Sequence, residues 1–237
     1  MASSLLLTQE APAPALLGSL GSLTSKLSLD PRSGENRREV EALIQQVFLK
    51  QHQAEIHYFL PELLSLRCAG RLTAAIGMQS ASQGTLFLEQ YLPAPIEQVL
   101  SAQTGQVVRR EQILEIGNLV SVRPGSSLLL MVALSELIAA SRFRWVTFTA
   151  TSEVQSLLTK LHYQPLLLAA ASADKLQQPD SWGAYYQKQP KVMAGFALPA
   201  IDSARNLQRY KLLQQMLAPQ LEALQSAFSN FAEKSHD

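Results

Sequence analysis

The chain of 237 residues contains one cysteine, Cys68. That excludes an intramolecular disulfide, a thiolate zinc cluster and a paired-cysteine redox motif, and makes a reducing compartment the simplest setting. Charge is also scarce, at 16% of residues, and its signs nearly cancel, with Lys+Arg 20 against Asp+Glu 19. A chain-wide basic field of the kind that wraps nucleic acid is therefore excluded, and so is an acidic tail. Long apolar runs are missing too. The longest, Leu128 to Leu134, is far shorter than the roughly 18 residues needed to cross a bilayer. Near the start, Leu5-Leu6-Leu7 is interrupted by Thr8-Gln9-Glu10, and the first basic residue is Lys26, which does not match a secretory signal. The expected location is cytoplasmic, with peripheral contact at the inner face of the membrane as the alternative. What the chain does have is 47% hydrophobic residues, enough to offset the entropy of ordering a core.

Residues 1–35 mix Ala-Pro and Gly-Ser-Leu repeats without helical or strand periodicity, and they read as a flexible leader. From Arg37 the pattern is helical, with Val40, Leu43, Ile44, Val47 and Phe48 on one face. His52, Glu55 and His57 follow, but the two histidines are five apart, not four, so no metal is expected there. Pro61 is suited to open a short second helix. Leu72 to Ile76 and Thr85 to Tyr91 then read as consecutive antiparallel strands, and Ile96 to Leu100 as a short helix. Gln112 to Val120 is a nearly continuous apolar strand, of the kind covered on both faces.

Beyond that strand come a loop (Arg123-Pro-Gly-Ser-Ser), a helix (Leu128 to Ser141), a strand (Trp145 to Ala150), a helix (Ser152 to Leu161) and an extended segment (Gln164 to Ala170). This β-α-β-α-β series after antiparallel strands implies an α/β fold with a mixed sheet and helices on its faces. One more strand is expected near Lys191 to Ala197. Asp202 to about Lys234 carries an apolar stripe that includes Leu207, Tyr210, Leu213, Leu217, Leu221, Leu224, Phe228 and Phe231, with Pro219 expected to kink or split the helix. The organisation expected is a leader (1–35), a catalytic domain (36–200) and a C-terminal amphipathic helical extension (201–237). The stripe suits core contacts or a homodimer. A membrane-surface helix would need a more basic polar face than Arg205, Arg209 and Lys211 provide.

The order of elements in residues 112–170 resembles the acyl-CoA-binding half of the GCN5-related N-acetyltransferase fold, to which the acyl-homoserine-lactone synthases belong as an offshoot. Four phrases are more specific: Phe87-Leu-Glu-Gln-Tyr-Leu, Ile113-Leu-Glu-Ile-Gly-Asn-Leu-Val, Trp145-Val-Thr-Phe-Thr-Ala-Thr and Trp182-Gly-Ala-Tyr-Tyr. They resemble the bacterial family labelled thermostable hemolysin over roughly residues 40 to 198. The resemblance implies a splay between the fourth and fifth strands whose backbone binds the pantetheine arm of an acyl donor, with the following loop and helix start binding its pyrophosphate. On this chain the donor-binding set would be Asn118, Leu119, Val120, Arg123, Gly125, Ser126, Ser127, Thr149 and Thr151. Ser127 stands where the fold's loop usually has a second glycine.

Glu115 is the charged residue of an otherwise apolar strand, where burial without a partner is costly. In the resembled fold a glutamate on this strand removes a proton from the acceptor amine; the bland reading pairs it with Arg109, Arg110 or Arg123. Glu89 on the preceding strand is the second candidate, lining the acceptor side with Gln90 and Tyr91, with an exposed strand-edge charge as its bland reading. Leu158 stands where a tyrosine often protonates the departing thiolate, and His162 where glycine is usual. Cys68 reads as a buried structural thiol.

The function expected is acyl transfer, with the acyl chain long by analogy, from an acyl-CoA or acyl-carrier-protein thioester to an amine, with no permanently bound cofactor. The alternatives are a membrane-active hemolysin and a non-catalytic acyl-thioester-binding module.

Overall fold

The computed structural model describes residues 25–233 with the exception of Leu161. Among the described residues the chain builds a seven-stranded sheet in the order β1-β2-β3-β4-β5-β7-β6. The strands are β1 (Ser25–Pro31), β2 (Glu62–Cys68), β3 (Arg71–Ser80), β4 (Ile113–Ser121), β5 (Trp145–Ala150), β6 (Leu166–Ala170) and β7 (Lys191–Phe196). β1 to β4 pair antiparallel, β4 and β5 pair parallel, and β7 runs antiparallel between β5 and β6.

Helix α1 (Arg37–His52) forms where the apolar spacing calls for it. Its Val40, Ile44 and Val47 pack on Leu63, Ala75 and Val120 of the sheet. The helix start is pinned by Arg37, buried and donating to the carbonyls of Asp30, Leu60 and Pro61. α2 (Ile96–Thr104) joins a second cluster with Leu88, Tyr91, Ile113 and Trp145. α3 (Ser126–Ala139), α4 (Ser152–Lys160), α5 (Ala197–Arg205) and α6 (Gln208–Glu233) contribute to the main core.

Four expectations change. Residues 25–31, assigned to the leader, form β1, which pairs with β2 along its whole length and has Gln220 of α6 bonded to its Leu27 amide; residues 1–24 lie outside the described residues. Pro61 opens no helix, because Leu63, Leu64 and Leu66, with Ser65 among them, are buried in a strand between β1 and β3, a short pattern that periodicity alone cannot tell from a helix. Thr85 to Tyr91 is not a strand but ends in a 3-10 turn, Phe87–Tyr91, whose first two amides are taken by the Glu115 side chain. Pro219 lies within the continuous helix α6, and the break falls earlier, between Arg205 and Gln208. Much of the C-terminal stripe is used within the chain: Tyr210, Leu213, Leu217, Phe228 and Phe231 are buried in the main core, and Leu207, Leu221 and Leu224 are partly buried against it.

Candidate active site

The site is built where β4 loses its neighbour. β4 and β5 pair only from Ile113↔Trp145 to Ile116↔Phe148. β4 nevertheless continues along β3 to Ser121, and β5 along β7 to Ala150. Past Ile116 the two strands therefore part, and backbone groups facing the fork have no ladder partner across it. A bulge accompanies the fork, with Asn118 and Leu119 set against the single residue Ile76. Asn118 takes the left-handed conformation at φ +50, which this residue type tolerates better than most. The bulge turns Val120 onto the face covered by α1.

Glu115 lies one residue before the end of that pairing, between Gln79 of β3 and Thr147 of β5. It is 3% exposed. The arginines considered as partners are not what satisfies it. Its oxygens accept from the backbone amides of Phe87 (2.8 Å) and Leu88 (3.0 Å). Burial pushes the carboxyl up to about 8, the two amide bonds offset that only in part, and the negative charge of Glu89 adds to the rise. A group that holds its proton near neutrality can exchange it during a reaction.

Glu89 has the opposite environment. Its carboxylate caps Leu86 and Ile96 and receives Arg110, which also bonds Glu97 and the carbonyls of Ala81 and Gly84. Burial alone would raise its pKa, but the guanidinium and amide bonds outweigh that and hold the carboxyl below its ordinary value. It borders a shallow depression of about 500 Å³ with Arg110 and Pro93, away from the fork. An ionised, fully bonded carboxylate holds structure and is poorly placed to act as a base.

The other candidate residues fall around the fork in different roles. Asn118 commits its side chain to the Leu60 amide (3.0 Å) and the Tyr58 carbonyl, so what it offers the fork is backbone. Leu119 is half-buried against the main core. Thr149 lies on the Glu115 face of β5, and its hydroxyl is buried with no hydrogen-bond partner. Thr151 is buried at the start of α4 and bonds Glu153. Gly125 is the N-cap of α3 at φ +82, a conformation that selects glycine. Ser126 does not cap the helix; its hydroxyl turns inward to Thr73 at 3.2 Å. Ser127 is buried in the first turn, and Arg123 begins the loop. With no side-chain cap, the first-turn amides of α3 keep their capacity for an anion.

Leu158 is buried in the apolar core, so no hydroxyl stands there to protonate a thiolate. His162 is exposed at φ +61, which explains the glycine usual at that position. Tyr163 packs and shares a hydrogen bond with Ser135 at 2.7 Å. Cys68 is buried at the end of β2, against Thr73. His52 is buried between Phe48 and Tyr185, where burial takes it down to about 4, while His57 is exposed.

Of a group of rings beside Glu115, only Tyr91 was expected on the acceptor side from sequence. Tyr58, Phe87, Tyr91, Trp182 and Tyr186 touch one another over that face. Tyr91 and Tyr186 join through their hydroxyls, and the Tyr58 hydroxyl donates to Gln79. The phrase Trp182-Gly-Ala-Tyr-Tyr was the available signal. Only the fold brings it to β4, through bonds from Ala184 and Glu55 that tie residues 181–184 to the end of α1.

Among solved structures, the acyl-homoserine-lactone synthase LasI is similar at a TM-score of 0.53 and 11% identity, over 76% of this chain and 95% of that one. The N-acyl amino acid synthase FeeM, from uncultured soil microbes, gives 0.48 and 13% over 76% and 95%. BjaI, a CoA-dependent acyl-homoserine-lactone synthase, gives 0.48 and 11% over 81% and 100%. No curated protein matches the chain. The likeness to LasI agrees with the strand order and the fork in showing a GCN5-related acyltransferase fold. The family model described as thermostable hemolysin matches residues 31–200, and the chain belongs to that family.

Proposed function

We propose that the chain transfers an acyl group from a thioester to an amine, with Glu115 as the base. The observation that carries this is a buried carboxyl, held up to about 8, one residue from the point where β4 and β5 part. The donor's pantetheine arm would lie in the fork against the backbone of residues 117–119 and the partnerless Thr149 hydroxyl, with its phosphates at Arg123, Gly125 and the first turn of α3 around Ser126 and Ser127. The amine nitrogen attacks the thioester carbonyl, the new C–N bond replaces C–S, the nitrogen's proton passes to ionised Glu115, directly or through water, and the departing thiolate takes a proton to leave as thiol. Water is the source we assign for that last proton, because Leu158 supplies none. No permanently bound cofactor is required.

Amphiphilic N-acyl products lyse cells without a pore, which reconciles this chemistry with the family's label. No helix among the described residues is long and apolar enough to cross a membrane. The test is thiol release from acyl-CoAs of increasing length, and from the same acyl groups on carrier protein, with an amine panel. Amine-dependent release that falls at least ~100-fold in Glu115→Gln is expected. Absence of release and of thermal stabilisation by every thioester would overturn the reading. Vesicle dye leakage by the protein alone, with neither donor nor acceptor, would favour direct membrane activity instead.

A further inference from the structure

We infer that the amine accepted at Glu115 is carried on an aromatic or comparably flat, apolar skeleton. The inference rests on the acyl-transfer reading and specifies the acceptor side of the same site. Phe87 supplies both a backbone amide to Glu115 and a ring to the surface over it, stacked on Tyr58 at 5.0 Å and tilted toward Trp182 at 5.6 Å. Tyr91 meets Phe87 edge-on at 6.2 Å, and Tyr186 closes the group between Tyr91 and Trp182. Burial raises Tyr58 and Tyr91, and the charge of Glu115 adds to the rise at both.

In the main core the rings of Phe143, Phe228 and Tyr210 are sealed, each at most 1% exposed, and the exposed Phe196 pairs only with Trp145. The rings over Glu115 differ. Phe87, Trp182 and Tyr186 are only half-buried, and Tyr58 is 38% exposed. Trp182 and Tyr186 are brought there by a strap, not by the sheet: the Glu55 amide donates to Ser181 (2.7 Å) and the Ala184 amide to His52 (2.7 Å). A partly open set of ring faces above a proton-exchanging carboxyl suits a flat apolar body through edge and face contacts. It also attracts an incoming ammonium before the proton is lost. Hydroxyls of a small polar amine would find little to replace their water on these rings. Arg110 is engaged by Glu89, Glu97 and two carbonyls and is not available to an acceptor.

The experiment uses the full chain with the best thioester from the donor screen. Phenethylamine, tyramine, tryptamine and phenylalanine are compared with butylamine, ethanolamine, glycine and alanine by thiol release. The aryl amines are expected to exceed their aliphatic counterparts at least ~10-fold in kcat/KM. Trp182→Leu should raise KM for the best aryl amine at least ~10-fold while leaving KM for the thioester unchanged. Tyr58→Leu, at the more exposed ring, gives the same readout if the first variant fails to fold. Equal or better use of the aliphatic amines, or a folded ring variant with unchanged amine KM, would overturn the inference and leave acyl transfer standing. No release with any amine would instead remove the acyl-transfer reading and this inference with it.

Discussion

Glu115 makes the stability of the fold depend on pH in a direction opposite to that of an ordinary carboxylate. The carboxyl is 3% exposed and its pKa is about 8 in the fold, against an ordinary 4.5. Between those values the folded chain holds a proton that the unfolded chain has lost. The stability from this group is therefore complete below about 4.5 and is lost as pH rises through about 8. At about 1.4 kcal/mol per unit, raising pH from 6.5 to 9 removes about 2 kcal/mol, a large part of a typical total of roughly 5–15. His52, taken down to about 4 by burial, has the opposite sign, and its contribution is nearly complete above 6.5, so it leaves this window clear. Tyr58 and Tyr91 are raised by burial and titrate above it. In Glu115→Gln, one end of the amide is a donor facing a backbone amide that now reaches a carboxyl oxygen. The variant should be less stable at pH 6.5, and its deficit should shrink by about 2 kcal/mol by pH 9. Urea denaturation at fixed ionic strength measures this. A wild-type-minus-variant difference equal at the two pH values would refute the buried, proton-holding Glu115. The same titration predicts that thiol release gains rate with pH, with an inflection near 8.

Thr149→Val should leave the melting temperature unchanged or raise it, since its buried hydroxyl has no partner, while weakening thioester binding in a thermal-shift titration. Gly183→Ala places a Cβ 2.4 Å from the carbonyl oxygens of His52 and Gln53 at φ +51; about 2 kcal/mol of destabilisation and a shift in Trp182 fluorescence are expected. Arg110→Met leaves the Glu89 and Glu97 carboxylates facing each other across a partly buried site. It should cost about 3 kcal/mol by denaturation at pH 7 and less at pH 4, because the pairing with Glu89 is lost as pH falls through a lowered pKa. His162→Gly relieves a left-handed backbone and should stabilise by up to about 1 kcal/mol in the same measurement.

The half of the sheet nearest the site was legible because its signals are local. β4, α3 and β5 are each bounded by loop residues within a few positions, and Trp145–Ala150 is the strand expected. β1 was not legible. Ser25–Pro31 has little pattern of its own and becomes a strand only by pairing with β2, more than thirty residues later. The same omission made Pro61 look like the start of a helix, since without β1 the Leu63–Leu66 run had no second neighbour. Phe87–Tyr91 has the composition of a strand, but strand amides need a ladder, and here carboxylates take them. Two go to Glu115, while Glu89 folds back on the Leu86 amide. Both competing acceptors are side chains whose positions depend on the finished fold.

That competition also separates two carboxylates that look alike in sequence. Glu115 was singled out because an apolar strand must satisfy any charge it buries, and an arginine was the expected partner. Arg110 instead goes to Glu89, which it keeps ionised together with the Ile96 and Leu86 amides. Glu115 is left with two neutral amides, which orient it without supplying the positive charge that would hold its pKa down. The placement of one guanidinium thus decides which carboxylate is a structural anion and which can exchange a proton. Glu89 then contributes to the site from a distance, since its fixed negative charge adds to the rise at Glu115. In Glu89→Gln that charge is gone, so the inflection in thiol release should move below its wild-type position, although neither residue of the Glu115 amide clamp has been changed.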